Sequence, residues 1–512
     1  MEGRFFSGSE KKIGKFFAFR QKNVSKPLLF FGKYAILYNG LIWGRIDLYR
    51  ICSSSRNGGL MMLSTENNKA LSRLTALFDE GSFVQMGSQV SEAPVVTGWG
   101  TIDGNPVYAF AQDRESKNGA MNAAHAEKIT KIYDLAAKTG CPVVGIYDSL
   151  GAELDKNAET MNAYGMLLAK TNQLSGVVPQ ISVVLGVCGG SAAMVACSAD
   201  LTIMSKDAEL FLHGPFQIKA AGCCEADKAG KAETAAAAGV AHVVTESEEE
   251  ALEKARFALG LLPSNNLAPA PYFDFEAPVW SGYDEKNDCG AALIEKLADN
   301  GSLLHLQKDF AKGVCVALGT LAGQSVGFVA NTFKENHGKL NAAVCTKIAR
   351  FVRLCDSYSI PVVTLVNSAG FAVSGEEEVA GSIRQASMLA HTYAEATTAK
   401  VSVVVGKGIG PAFMALAGKT SGADLVYAWN DAVISSVCPR TAAAILYPDV
   451  KEEEGIAEYK QNVASAVCAA KTGCVDEVIA PEATRDTLVC ALDMLAGKRV
   501  SRMPKKQSNI QF

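Results

Sequence analysis

Two stretches of this chain repeat one pattern of apolar and polar positions. The first, Asn122–Gly151, reads NAAHAEKITKIYDLAAKTGCPVVGIYDSLG, and the second, Asn341–Gly370, reads NAAVCTKIARFVRLCDSYSIPVVTLVNSAG. The offset is 219 throughout and pairs Asn122 with Asn341, Lys128 with Lys347, Pro142 with Pro361, Asp148 with Asn367, and Gly151 with Gly370. Ile129, Ile132, Tyr133 and Ala136 recur at helical spacing, as do Val344, Ile348, Val352 and Cys355. Each stretch therefore predicts a helix opened by an Asn cap. Pro142 or Pro361 then ends the helix and starts a continuous β-branched run, PVVGIY or PVVTLV, which predicts a strand buried on both faces.

A second pair lies downstream at an offset of 220: Ile181–Met194, ISVVLGVCGGSAAM, against Val401–Met414, VSVVVGKGIGPAFM. Each predicts a buried strand, a Gly-rich turn and a small-residue helix. Another strand-like piece follows, ADLTIM at 199–204 and ADLVYAW at 423–429. The chain thus divides into two homologous α/β halves. Their joint is expected in Leu262–Trp280, which holds four Pro and little periodicity. The expected boundaries are a basic extension at 1–60, an N-terminal domain at 61–275 and a C-terminal domain at 276–512.

Composition agrees with packed globular domains. The chain has 512 residues, 48% hydrophobic and 20% charged, with a net charge of −4. That balance argues against a general nucleic-acid binder, which needs a basic excess to neutralise phosphates. Residues 1–60 stand apart, with 11 Lys and Arg against 3 Asp and Glu. Their apolar stretch at 27–44 is broken by Lys33 and Asn39, too interrupted for a membrane helix. Gly58-Gly59-Leu60-Met61-Met62 is consistent with a translated ribosome-binding site, so the start is expected at Met61 or Met62. Fourteen cysteines without a C-x-x-C fit a reducing, cytoplasmic setting.

A strand-to-helix turn of small residues aims backbone N–H groups at one point, where the helix dipole adds positive charge. That suits a phosphate or a developing oxyanion. Side-chain motifs fail. Phe413 stands where a P-loop needs its first Gly, and Ala193 where a nucleophile elbow needs its last. The six histidines show no metal-ligand spacing, and no metal is expected. The acidic runs at 248–250, 376–378 and 452–454 read as solvated helix faces; the second follows a Gly-rich turn.

The chain resembles the biotin-dependent acyl-CoA carboxyltransferases, including the β subunits of propionyl-CoA carboxylases and the carboxyltransferase subunits of sodium-pumping methylmalonyl-CoA and glutaconyl-CoA decarboxylases. The resemblance runs from about Ala70 to the C-terminus. It rests on QD at 112–113, AHAEKI at 124–129, PVVGIYDSLGA at 142–152, GVVPQIS at 176–182, GVAH at 239–242, KIARFVRLCDSYSIP at 347–361, AGF at 369–371, AEAT at 394–397, DEVIAPEATR at 476–485 and the closing PKKQSNIQF.

The resemblance implies an α/β fold of two tandem crotonase-like domains, each a spiral of ββα units, and a homohexamer built as a trimer of dimers. It implies an acyl-CoA substrate and carboxybiotin on a separate biotin carboxyl carrier protein. A further partner would be a biotin carboxylase or a membrane sodium-pumping decarboxylase. Biotin itself would serve as the base, so no catalytic His or Cys is required. Carried over by position, the oxyanion-hole donors fall at Gly190 and Ser191 in the N-half and at Pro411 and Ala412 in the C-half. Pro411 has no N–H, so Ala412 acts alone or with Gly410 or Phe413. Substrate contacts carried over are Gly119, Ala120, Asp148, Ser149, Gly151, Ala152, Gly189, Gly370, Phe371, Pro411 and Met414. The usual Asp-Val-Pro-Gly-Phe is here Asn367-Ser368-Ala369-Gly370-Phe371. The alternatives are a non-catalytic CoA-binding scaffold, and a biotin-free crotonase-type hydratase or isomerase using Glu376 or Glu377.

Overall fold

The computed structural model describes residues 28–31, 34–37 and 68–509, except 91, 286, 502 and 507. The chain separates into two units, 1–67 and 68–512. In the first, β1 (Leu28–Phe31) and β2 (Tyr34–Leu37) pair antiparallel, with Leu28 opposite Leu37. The other expectations for residues 1–60, and the start at Met61 or Met62, lie outside the described residues.

The second unit holds two sheets of one design. The N-half sheet contains β3 (Val84–Met86), β4 (Val95–Ile102), β5 (Asn105–Gln112), β6 (Val143–Tyr147), β7 (Gln180–Val184), β9 (Leu201–Ser205) and β11 (Val243–Thr245), in the order β11-β9-β7-β6-β5-β4-β3. Two short strands, β8 (Val187–Gly189) and β10 (Glu209–Phe211), pair beside it. The C-half sheet contains β12 (Leu304–Leu306), β13 (Val314–Leu321), β14 (Gln324–Asn331), β15 (Val362–Ser368), β16 (Lys400–Ile409), β17 (Leu425–Trp429) and β19 (Glu477–Ile479), with β18 (Val433–Ser435) against the end of β16.

The duplication holds at the level of register. Tyr108 pairs with Val143, and 219 residues later Gly327 pairs with Val362. The N-half strands from β5 onward, and the C-half strands from β14 onward, run parallel, which requires a crossover between them. In the N-half, α1 (Ala123–Thr139) makes one crossover, and its C-half counterpart is α2 (Ala342–Ser357). Asn122 and Asn341 cap these helices, each accepting a backbone N–H three residues on, at 2.9 Å from His125 and 2.9 Å from Val344. The β-branched runs are buried along their whole length in β6 and β15. The two halves are bonded together: Tyr358 Oη donates to Asp200 Oδ2 at 2.7 Å, and the Gln307 N–H to the His242 carbonyl at 2.7 Å.

Among the described residues, no helix is long and apolar enough to cross a membrane.

Candidate functional site

Three segments meet at the carboxyl end of the parallel strands in each half. In the N-half they are 118–121, 148–152 and 187–191. The Leu150 N–H donates to the Asn118 carbonyl at 3.1 Å, and the Ser149 N–H to the Val187 carbonyl at 2.8 Å. In the C-half, Ala369 N–H donates to the His337 carbonyl at 3.1 Å, while Ser368 pairs with Gly408 in the ladder. The sequence repeat therefore delivers two turn clusters with equivalent backbone contacts.

Most carried-over residues fall inside them. Ser149 Oγ donates to the Gly119 carbonyl at 2.7 Å and accepts from the Gly151 N–H at 3.0 Å. Ala152 bridges to Met121, as Phe371 bridges to Leu340. The Gly370 N–H donates to Ser368 Oγ at 3.3 Å. The Ala120 carbonyl faces His125 Nδ1 at 3.2 Å.

The turns after β8 and β16 each enter a short helix, α3 (Ser191–Cys197) in the N-half and α4 (Gly410–Ala415) in the C-half. Gly190 and Gly410 share a left-handed φ, 61° and 60°, which glycine adopts without strain. The first amides of such a helix have no intrahelical acceptor and point outward from its start. Two features bear on the expected donors. First, the Gly190 N–H donates to the Phe211 carbonyl at 2.9 Å, so it already has an acceptor. Second, the repeat sets Gly190 opposite Gly410 and Ser191 opposite Pro411. Of the carried-over N-half pair, Gly190 is thus engaged with Phe211, and the amides that follow it belong to Ser191 and Ala192. In the C-half the amides that follow Pro411 belong to Ala412 and Phe413.

A cavity of about 700 Å³ opens beside the C-half turn. Its walls include Gly410, Pro411, Phe413, Met414 and Ile434. In the ladder, Phe211 opposite Gly189 holds the place that Ser435 opposite Ile409 holds in the C-half. The Phe211 ring packs so closely on Gly189 that an added Cβ there would lie 2.4 Å from it. Met194 and Met414, 220 residues apart, are both exposed on the helices beside the turns.

The N-half cluster is anchored by charges that sequence spacing did not reveal. Arg73, buried, donates from Nη1 to Asp148 Oδ2 at 2.9 Å and from Nε and Nη2 to the Glu248 carboxylate at 2.9 and 2.8 Å. Arg114 Nη1 reaches Asp148 Oδ1 at 3.2 Å. Burial alone would lower the Arg73 pKa, but the bonds to Glu248 and Asp148 outweigh it and raise it. Burial likewise opposes ionisation of Glu248, and Arg73 and Lys69 overcome it, holding its carboxyl below the ordinary range. Glu248 is thus an ion-pair partner, not a solvated helix face. Glu377 is engaged too, accepting the Ala342 N–H at 3.1 Å at the start of α2.

These features agree with comparisons to known proteins. The carboxyl transferase domain matches residues 65–510. The α subunit of methylmalonyl-CoA decarboxylase from Veillonella parvula is 36% identical over 86% of this chain and 92% of its own. The carboxyltransferase subunit of propionyl-CoA carboxylase from Haloferax mediterranei is 34% identical over 89% and 96%. Transcarboxylase 12S, solved as a hexamer with methylmalonyl-coenzyme A bound, matches with a TM-score of 0.83 at 33% identity, over 86% of this chain and 92% of that one. The two repeated sheets are its crotonase-like architecture. The chain therefore belongs to the carboxyl transferase family and is the carboxyltransferase of an acyl-CoA carboxylase or decarboxylase.

Proposed function

We propose that this chain transfers a carboxyl group between carboxybiotin on a separate carrier and the α-carbon of propionyl-CoA, with methylmalonyl-CoA as the carboxylated form. The observation that carries the reading is the pair of equivalent turns, each presenting helix-start amides with no catalytic side chain beside them. The substrate choice rests on the names of the relatives. Propionyl-CoA carboxylase, methylmalonyl-CoA decarboxylase and a methylmalonyl-CoA-bound transcarboxylase all handle one acyl pair.

Two negative oxygens must be stabilised in such a transfer, the thioester enolate and the biotin ureido oxygen. Two amide clusters meet that requirement. Ser191 and Ala192 N–H groups serve one oxygen, and Ala412 and Phe413 N–H groups the other. Pro411 supplies no N–H but suits the first turn of a helix, where its fixed φ is already helical. The apolar walls of the C-half cavity fit the bicyclic biotin ring, with Phe413 and Met414 against it. Carboxybiotin supplies the carboxyl group and, after giving it up, the base that takes the α-proton. The chain's own part is to orient both reactants and hold the developing charge. Each donor is worth about 3–4 kcal/mol of barrier.

The working assembly is a homohexamer, as in the transcarboxylase 12S structure, served by a biotin carrier and by a biotin carboxylase or a membrane decarboxylase. The test incubates the purified protein with free biotin and malonyl-, methylmalonyl- or glutaconyl-CoA, and follows the acyl carboxylate by mass spectrometry. Biotin-dependent loss from methylmalonyl-CoA is expected. Loss independent of biotin, or no loss with CoA still bound, overturns the reading. A sedimentation mass near one subunit overturns the hexamer.

A further inference from the structure

Asp148 and Asn367 hold one position in the two halves, and both are wedged between the same backbone segments. An added Cβ at Gly186 would lie 2.0 Å from Asp148 Oδ1, and at Gly406 2.5 Å from Asn367 Oδ1. The backbone N–H of each points at an equivalent amide oxygen, Gln112 Oε1 at 3.1 Å and Asn331 Oδ1 at 3.4 Å. Each residue thus packs between the amide side chain of a neighbouring strand and the glycine backbone of the next segment.

Their partners have opposite sign. Asp148 faces Arg73 and Arg114. Asn367, fully buried, donates from Nδ2 to Glu285 Oε2 at 3.1 Å and accepts the Lys407 N–H on Oδ1 at 3.0 Å. The Lys407 N–H is a donor only, so Oδ1 must face it and Nδ2 must face Glu285. An aspartate at 367 would set two carboxylates, one buried and one half-buried, within hydrogen-bond distance, where like charges cannot both stay ionised without cost. The departure at Asn367 and the presence of Glu285 are therefore one feature.

We propose that Glu285 is a positioning residue for the C-half turn. It acts through Asn367, which fixes the Lys407–Gly410 backbone and so aims the Ala412 and Phe413 amides. This inference rests on the carboxyltransfer reading above.

The experiment compares the full-length wild type, Glu285→Gln, Asn367→Asp and the double variant, reading kcat and KM for biotin-dependent decarboxylation together with thermal melting. Asn367→Asp alone is expected to lower kcat by about ten-fold or more, with KM for methylmalonyl-CoA little changed. The double variant rebuilds the pair with donor and acceptor exchanged and is expected to recover most of that kcat. Additive losses in kcat overturn the proposal, as does coupling confined to melting temperature, which marks a purely structural contact. If Asn367→Asp does not fold alone, the double variant must be both folded and active. An inactive wild type instead overturns the carboxyltransfer reading, while melting still reports whether the two residues are coupled.

Discussion

The Gly190 N–H donates to the Phe211 carbonyl at 2.9 Å, so the proposed N-half donors start at the next amide, that of Ser191. Ser191 comes next and sits at the first position of a helix, where proline is tolerated. Ser191→Pro removes one N–H and copies the C-half sequence. We expect kcat/KM to fall by about 100-fold with melting temperature nearly unchanged, going by the loss of one oxyanion-hole donor elsewhere. Steady-state decarboxylation of methylmalonyl-CoA reads it. An unchanged rate would remove Ser191 from the donor set.

The reverse change is Pro411→Ala. It adds an N–H at the equivalent C-half position without altering the glycine before it. We expect kcat to rise, by about ten-fold at most since Ala412 and Phe413 already donate there. A fall would show that the fixed φ of Pro411 matters more than a further donor.

Arg73 is the load of the N-half anchor. It is 5% exposed and bonded to both Asp148 and Glu248. Arg73→Met leaves one buried and one half-buried carboxylate short of a partner, and about 3 kcal/mol of stability should be lost. Urea unfolding measures this. Arg73→Lys should recover only part, because an ammonium does not reproduce the planar fork that spans both carboxylates.

Two buried histidines set an acid limit. Burial holds His125 down at about 4, partly offset by the Ala120 carbonyl. Burial, with a smaller contribution from Arg350, holds His242 at about 3. Unfolded, each titrates near 6.5. Between about pH 6.5 and 4 the unfolded chain binds protons that the folded chain refuses, so stability is full above 6.5 and declines as pH falls. His242 Nδ1 accepts the Thr202 N–H at 3.0 Å and needs the neutral ring to do so. Denaturation midpoints measured from pH 7 to 4.5 should decrease, and His242→Gln should flatten the slope by about one proton.

Met414 lines the C-half cavity and is exposed on α4. Met414→Ala should strip apolar wall from the biotin side of that cavity. The KM for free biotin should rise by about ten-fold while the KM for methylmalonyl-CoA stays nearly unchanged, in the range a few buried methylenes are worth. A rise in the KM for methylmalonyl-CoA instead would place the acyl chain at this turn.

Much of this was legible before any coordinates. Asn122 and Asn341 read as caps because a cap is a local bond, made within three residues. The β-branched runs after Pro142 and Pro361 read as buried strands because both of their faces are covered. The 219-residue offset reappears as equal strand register. The backbone bonding of the Gly-rich turn was less legible. Which amide of GGS at 189–191 is left over depends on the Phe211 carbonyl, twenty-one residues away on a separate short strand. Lys128 and Lys347 were visible as a repeated pair. That Lys347 is buried and donates to the carbonyls of Gln307, Phe310 and Val314 at 2.8–2.9 Å was not.

The sequence by itself determined the duplicated α/β halves, the two Gly-rich turns and the family resemblance, because these follow from periodicity and from short-range backbone preferences. Only the tertiary structure decided the electrostatics of the two sites. Arg73, Glu248 and Glu285 lie far along the chain from the turns they hold, and their charges act through space. The same position thus became a carboxylate between two arginines in one half and an amide against a glutamate in the other.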